Sequence, residues 1–271
     1  MLLGACTPQP KAGAGVKTTA EPQVVATADA PTMPADADGQ YEQAMAMKDT
    51  DPERAVALLE RAALQGHGEA AYQLGMLQAD AKRRVEWHSM AAAVGQVDAQ
   101  YALGEAYLYG RGTAKEPAWG LSWLERAARA GHTQAQYAMG MAFATGFAGS
   151  AMGEEALVWL LIAQQNGQSD AGLMISMLQA RLSNSTRAAA AERAKAWVNE
   201  PAGDAESRAT TRFAQYALGR LGFDAGLADG IRGDRTDQAV SAFRQGQGLR
   251  PGGLDGRTLD LLRERIAVLN R

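Results

Sequence analysis

The chain has 271 residues, of which 46% are hydrophobic, and its formal net charge at pH 7 is −3. This length and composition are typical of a globular protein with one large domain or two modest ones. The charge argues against a general nucleic-acid binder, whose basic surface would dominate the balance, and the sequence contains no apolar run of about 18 residues that could span a membrane as a helix.

The N-terminus carries the only cysteine of the chain, Cys6, so an internal disulfide is excluded. Leu-Gly-Ala-Cys at residues 3–6 resembles the lipobox of bacterial lipoprotein signal peptides, in which the cysteine is lipidated and becomes the mature N-terminus. A signal peptide has a basic region and about 7–15 apolar residues, whereas five residues precede Cys6. Either the natural start lies upstream of Met1 or the match arises by chance. We predict that residues 1–6 are the remnant of such a peptide and that Cys6 is lipidated.

Residues 7–39 hold five of the nine prolines and no aromatic residue. Such a segment cannot bury enough apolar surface to offset the entropy of ordering it. We therefore predict a disordered tether, which fits a lipid anchor at its beginning.

The middle of the chain repeats a short motif that begins with glycine. The copies are GHGEAAYQLG from Gly66, GQVDAQYALG from Gly95, GHTQAQYAMG from Gly131 and a decayed GQSDAGLMIS from Gly167. The glycines are separated by 29, 36 and 36 residues. A period of this length indicates stacked supersecondary units, each too small to fold alone.

Each copy also shares its upstream half. A tryptophan lies eight residues before the glycine in three copies, and an alanine follows it four positions later, on the same helix face; the tryptophans are Trp87, Trp123 and Trp159. The pattern W-x-x-x-A-A-x-x-G followed by A-x-Y-x-[LM]-G resembles the Sel-one-like repeat, a relative of the tetratricopeptide repeat. The resemblance implies an α-solenoid over residues 40–198 that binds other proteins. The predicted helix pairs are 40–48 with 52–65, 68–79 with 81–94, 98–109 with 116–130, 134–145 with 152–166, and 169–180 with 187–198.

One position in the repeats is a candidate for partner binding. The residues ten positions after each glycine are Met76, Glu105, Met141 and Met177. Methionine adapts its shape and suits a tolerant binding surface. The alternative is that these side chains pack in the core, as apolar helix positions usually do.

A polar linker is predicted at 199–206, followed by a small bundle at 207–271. One helix is expected at 212–222, a second after Gly233, and a third after Asp255. The third helix would turn four apolar side chains inward, namely Leu259, Leu262, Ile266 and Leu269. Asp-Gly turns connect the helices, and glycine or aspartate at a helix entry suits a capping position.

The C-terminal stretch LGRLGFDAGLADGIRGDRTDQAVSAFRQGQGLRPGGLDGRTLDLL resembles the three-helix peptidoglycan-binding domain of bacterial cell-wall proteins. The resemblance implies a ligand surface on the first turn, formed by Asp229, Gly230, Ile231 and Thr236, with Phe243 behind it. Two positions depart from the family: Arg244 stands where glutamine is usual, and Gly246 interrupts the end of a helix. Residues 206–271 carry 11 arginines and 8 acidic side chains, and arginine suits the carboxylates of wall peptides.

We predict that the protein is not an enzyme and needs no metal or cofactor. Cysteine catalysis requires a histidine partner, but Cys6 lies in the predicted disordered region. A zinc enzyme requires converging ligands, and the chain has only His67, His88 and His132, spread over different repeats. No carboxylate occurs in the unexplained apolar setting that glycoside cleavage would need.

Together these features predict an all-α protein: an α-solenoid of helix pairs followed by a small three-helix bundle. The predicted function is that of a periplasmic lipoprotein, anchored to the outer membrane, which binds peptidoglycan and recruits a partner protein. The alternative is a regulatory or scaffold subunit of a cell-wall enzyme or secretion complex, whose bundle contacts protein. A cytoplasmic scaffold without lipid remains open if the lipobox match is chance.

Overall fold

The computed structural model describes residues 36–146, 152–199 and 208–269. These residues form thirteen α-helices and no β-strand, which confirms the all-α prediction. All of the described residues belong to one compact unit. Cys6 and most of the predicted tether lie outside the described residues. The first helix begins at Ala37, inside the range predicted for the tether, because the Asp36 side chain accepts a hydrogen bond from the Gly39 N–H and caps it.

Ten helices form the repeat region, as five pairs of a first and a second helix. They are α1 (Ala37–Met47) and α2 (Pro52–Leu64), α3 (Gly68–Leu77) and α4 (Ala81–Ala93), α5 (Val97–Tyr109) and α6 (Pro117–Arg129), α7 (Thr133–Thr145) and α8 (Gly153–Gln165), and α9 (Ala171–Arg181) and α10 (Asn184–Lys195). In the first four pairs the two helices pack together, and each second helix packs against the next first helix. This succession forms the predicted solenoid. The last helix differs, since α10 packs against α8.

The same turn joins successive pairs. The repeat glycines have φ between 90 and 99°, a left-handed conformation that favours glycine; they are Gly66, Gly95, Gly131 and Gly167. The next side chain then accepts a hydrogen bond from a backbone N–H of the following helix, as seen for His67, Gln96 and His132. The other end of each capping side chain contacts an acidic residue on the first helix of the preceding pair, respectively Asp38, Glu69 and Asp98. The turn therefore ties each repeat to its neighbour.

Two glycines allow α5 and α6 to pack closely. A Cβ atom on Gly120 would lie 2.7 Å from the carbonyl oxygen of Gly104 and 2.8 Å from the backbone nitrogen of Leu108. A Cβ atom on Gly104 would lie 2.7 Å from the Leu124 side chain. Small residues at these positions are thus required by the packing of the two helices.

Three further helices form the C-terminal bundle: α11 (Arg208–Arg220), α12 (Asp234–Gly246) and α13 (Gly256–Leu269). They confirm the predicted three-helix arrangement. Leu259, Leu262 and Ile266 are buried as predicted, but Leu269 is exposed because α13 ends there. Gly233 precedes α12 with an extended φ of −140°, whereas Gly226 and Gly230 in the same connection are left-handed, each with φ of 77°.

The bundle packs against the middle of the solenoid, a contact that the repeat pattern does not predict. Helix α11 lies on α6, and the ring of Phe213 meets the ring of Trp119 edge to face, with centroids 4.8 Å apart. In α13, Arg263 donates to both carboxylate oxygens of Glu116 at 2.6 and 3.0 Å, and its guanidinium lies 4.8 Å from the ring centre of Tyr107. One hydrophobic cluster runs through both parts.

Candidate functional site

The candidate binding loop, which we define as residues 223–236, joins α11 to α12 and includes the first three residues of α12. Its conformation is held by Gln215 of α11, a buried side chain that is 3% exposed. The Gln215 Nε2 atom lies within hydrogen-bonding distance of the Asp229 carboxylate, the Ile231 carbonyl and the Thr236 hydroxyl, at 3.0–3.3 Å. Its Oε1 atom accepts a hydrogen bond from the Gly230 N–H at 2.9 Å. One amide thus organises four of the residues that were predicted to bind ligand.

Gln215 was missed in the sequence analysis. A signal for it exists, because this polar residue stands among apolar ones on the inward face of α11, between Phe213 and Ala217. A buried amide must find hydrogen-bond partners, and a loop rich in glycine and aspartate offers them.

Two local bonds complete the loop. The Asp229 carboxylate accepts from the Ile231 N–H at 2.8 Å, and the Thr236 hydroxyl donates to the Ala225 carbonyl at 3.1 Å. Asp229 therefore closes a turn through its own side chain. These bonds use much of the polar capacity of Asp229 and Thr236 inside the loop.

The loop exposes apolar side chains at its surface. Ile231 is 59% exposed, and Leu227, which the sequence analysis did not single out, is 82% exposed. Thr236 and Phe243 are buried, and the Phe243 ring packs against Phe223 with centroids 5.8 Å apart. Phe243 therefore supports the loop from behind and offers no surface to a ligand in this conformation.

The second turn, residues 247–255, is organised by Arg244, one of the two departures from the family. The guanidinium is buried and donates to the carbonyls of Arg250 and Gly253 and to the Asp255 carboxylate, at 2.7–3.1 Å. It also bonds the Thr258 hydroxyl. Hydrogen bonds from Thr258, together with the neighbouring Arg244, lower the pKa of Asp255 to about 2. Arg244 therefore has a structural role in this chain.

The predicted partner-binding residues lie on the first helices. Met76 and Met177 are 58% and 48% exposed, while Glu105 and Met141 are half-buried. Core packing therefore does not describe Met76 or Met177. A second row precedes these residues by four positions and so shares their helix face. We define the first-helix face as both rows together: Tyr72, Met76, Tyr101, Glu105, Tyr137, Met141, Leu173 and Met177.

The helices that carry the first-helix face have more acidic than basic side chains. Helices α1, α3, α5, α7 and α9 together carry five acidic side chains and one basic side chain, Arg181. Burial and the carboxylate of Glu105 raise the pKa of Tyr101. The ring of Tyr101 also stacks on His132 with centroids 4.4 Å apart, so the face is linked to the capping turns.

The histidines serve the fold in the part of the chain that the structure describes. His67 and His132 cap helices, and His88 is buried against Gly75, where a Cβ atom would lie 2.2 Å from its ring. No group of three histidine, cysteine or acidic side chains that could hold a metal occurs among residues 36–146, 152–199 and 208–269. Within the same ranges no helix is long and apolar enough to cross a bilayer.

Comparison with known proteins agrees with both resemblances. The chain contains Sel1 repeats at residues 41–67, 97–132 and 133–167, and residues 207–262 match a putative peptidoglycan binding domain. The 29-residue copy between Gly66 and Gly95 lies mostly outside the matched ranges. No curated protein matches the chain.

Two solved structures are similar to the chain. One is a protective antigen present in uropathogenic Escherichia coli strains that displays an SLR fold, with 26% identity and a TM-score of 0.53 over 61% of this chain. The other is a Sel1 repeat protein from Oxalobacter formigenes, with 28% identity and a TM-score of 0.48 over 59% of this chain. The similar regions span 38% and 51% of those two proteins.

Proposed function

We propose that this protein, which combines Sel1 repeats with a peptidoglycan-binding domain, is a non-catalytic protein of the cell envelope that holds peptidoglycan through the candidate binding loop and a partner protein through the first-helix face. A peptidoglycan-binding domain implies a location in the cell envelope, and Sel1 repeats suggest protein–protein interaction. The observation that carries the proposal is the loop itself, in which buried Gln215 fixes the backbone while Leu227 and Ile231 stay exposed.

The chemistry of the loop suits a wall ligand. Leu227 and Ile231 offer apolar contact to sugar rings and to the methyl groups of stem peptides. The bundle also exposes Arg250, in the second turn, and Arg257, at the start of α13, and guanidinium groups pair well with carboxylates. Because the loop is already ordered, binding costs little conformational entropy.

The partner proposed for the first-helix face is a protein segment that combines apolar side chains with lysine or arginine. Exposed methionines accommodate varied apolar shapes. The excess of acidic side chains on the first helices would attract a basic segment and speed its encounter. A photo-crosslinking residue placed at Met76 or Met177 should trap one envelope protein in cells, whereas the same residue at exposed Leu64 of α2 should not.

The lipid anchor at Cys6 and the tether complete the proposal. The anchor would hold one end of the chain at the outer membrane, and tethering would raise the effective concentration of a weak wall module. Intact mass spectrometry of the protein purified from membranes tests this part. A mass without lipid, with residues 1–6 retained, would favour the cytoplasmic scaffold.

Co-sedimentation with purified sacculi tests the wall proposal. The native chain should sediment, and a Leu227→Asp/Ile231→Asp variant should lose most of that binding, because charge is placed where apolar contact is proposed. Leu64→Asp is the matched control, since Leu64 is also exposed but lies on α2. If the native chain stays in solution, peptidoglycan binding is refuted. The alternative role, a regulatory subunit whose bundle contacts another protein, would then be favoured.

A further inference from the structure

We propose that Arg212 positions the candidate binding loop and thereby makes the solenoid a working part of the wall-binding site. The inference rests on the proposed function of that loop. Arg212 lies in α11 and connects the candidate binding loop with two helices of the solenoid, α6 and α7, that lie far from the loop in sequence.

The guanidinium of Arg212 contacts both parts of the protein. Its Nη2 atom donates to the Asp229 carbonyl at 3.2 Å, on the loop. Its Nε atom lies 3.3 Å from a carboxylate oxygen of Glu125 in α6; this is an ion pair whose geometry does not form a hydrogen bond. Its centre lies 5.0 Å from the ring centre of Phe143 in α7. One planar group is therefore held by the solenoid on one side and holds the loop on the other.

Glu125, the solenoid partner of Arg212, is itself held in place by neighbouring side chains. Glu125 is 1% exposed, and its second carboxylate oxygen accepts a hydrogen bond from Arg129 at 3.1 Å. The Arg129 guanidinium in turn lies over the rings of Trp159 and Trp197. An arginine side chain loses rotamer entropy when it is fixed. Here the buried carboxylate and the Phe143 ring restrict Arg212 independently of any ligand, so its bond to the loop is preorganised.

A second arginine at the same interface, Arg263, allows the positioning of the loop to be separated from the docking of the bundle on the solenoid. Arg263 joins α13 to Glu116 and Tyr107 of the solenoid, but it makes no described contact with residues 223–236. Loss of the Arg263 hydrogen bonds would weaken the packing of the bundle on the solenoid without changing a contact of the loop. Arg212→Lys and Arg263→Lys are therefore matched variants: both keep the positive charge at the interface, and only the first removes a bond to the loop.

Amide hydrogen exchange of the full chain, without sacculi, is the first measurement. The Gly230 and Ile231 amides report on the loop because both are hydrogen-bonded inside it. A charge-assisted hydrogen bond contributes about 1.5 kcal/mol, so Arg212→Lys should speed their exchange by about tenfold. Arg263→Lys should leave them unchanged. The proposal is overturned if the two variants alter these amides equally, or if neither does.

Sacculus co-sedimentation of the same variants is the second measurement. Arg212→Lys should weaken wall binding by about threefold to tenfold, a loss of up to about 1.4 kcal/mol, while Arg263→Lys should bind like the native chain. Glu125→Gln is a second variant that tests the same link. It keeps Arg212 but removes the negative charge that pairs with its guanidinium, so exchange of the Gly230 and Ile231 amides should again become faster. If the native chain does not sediment at all, the wall function fails, and the exchange comparison still decides whether Arg212 positions the loop.

Discussion

Replacing Gly120 with alanine tests the close packing of α5 and α6. The position of the C-terminal bundle depends on this packing, because α11 lies on α6. The three atoms nearest to the new Cβ atom would all be backbone atoms, with the Gly104 oxygen at 2.7 Å and the Leu108 nitrogen at 2.8 Å. Backbone cannot rotate away as a side chain can, so the two helices must move apart. Overpacking costs about 1–3 kcal/mol, and contact with rigid backbone places this substitution in the upper part of that range, at about 2–3 kcal/mol; the better helix propensity of alanine returns about 1 kcal/mol.

The net expectation is a destabilisation of about 1–2 kcal/mol, which would lower the melting temperature by about 2–8 °C in a protein of this size. Thermal unfolding of the full chain, followed by circular dichroism, measures it. Gly219→Ala is the matched control: Gly219 is also helical, but it is exposed, and a Cβ atom there would have no neighbouring atom within 4 Å. The control should stabilise the protein by about 0.5 kcal/mol. An unchanged or raised melting temperature for Gly120→Ala would refute the packing argument.

Burial lowers the pKa of His88 from 6.5 to about 4, with a smaller contribution from Arg84. As the pH falls, His88 therefore takes up a proton in the unfolded chain before it does so in the folded chain. Stability should drop by about 3 kcal/mol between pH 6.5 and 4, and urea titrations should show a flatter pH profile for His88→Phe. Arg244→Gln should destabilise the bundle by about 2 kcal/mol, because glutamine is too short to reach all the partners of the guanidinium; an unchanged thermal transition would contradict this. His132→Ala should cost about 1 kcal/mol in urea unfolding through the lost helix cap, and His132→Asn should recover most of it.

The repeat region could be predicted from the sequence because its determinants are local. Glycine at a fixed period fixes the left-handed turns, and the residues around Trp123 and Tyr137 mark the helices that flank them. The predicted helix pairs match the observed ones within about three residues at each end, as expected for helix termini. The position of the candidate loop between two helices followed in the same way from its Asp-Gly turn.

The docking of the C-terminal bundle on the solenoid could not be predicted, because its contacts are between residues distant in sequence. Trp119 and Phe213 follow the same apolar periodicity as ordinary core residues, so nothing local distinguishes an interface from a core. The pairing of Glu125 with Arg212 depends on the fold that brings α11 back to α6. Exposure is likewise a tertiary property, and for this reason the methionines at Met76 and Met177 could not be assigned to core or surface from their spacing.

The packing of the C-terminal bundle on α6 has a consequence for how the chain folds. A repeat array contacts only its neighbours in sequence and can fold from any point outward. Here Arg126 contacts Thr210, 84 positions away, and Glu116 contacts Arg263, 147 positions away. Closing such long loops slows folding, and during synthesis Trp119 stays uncovered until α11 and α13 have been made, because they supply Phe213 and Arg263, which contact its ring. A chain shortened after α10 would keep its repeats and still expose an apolar surface that the complete fold conceals.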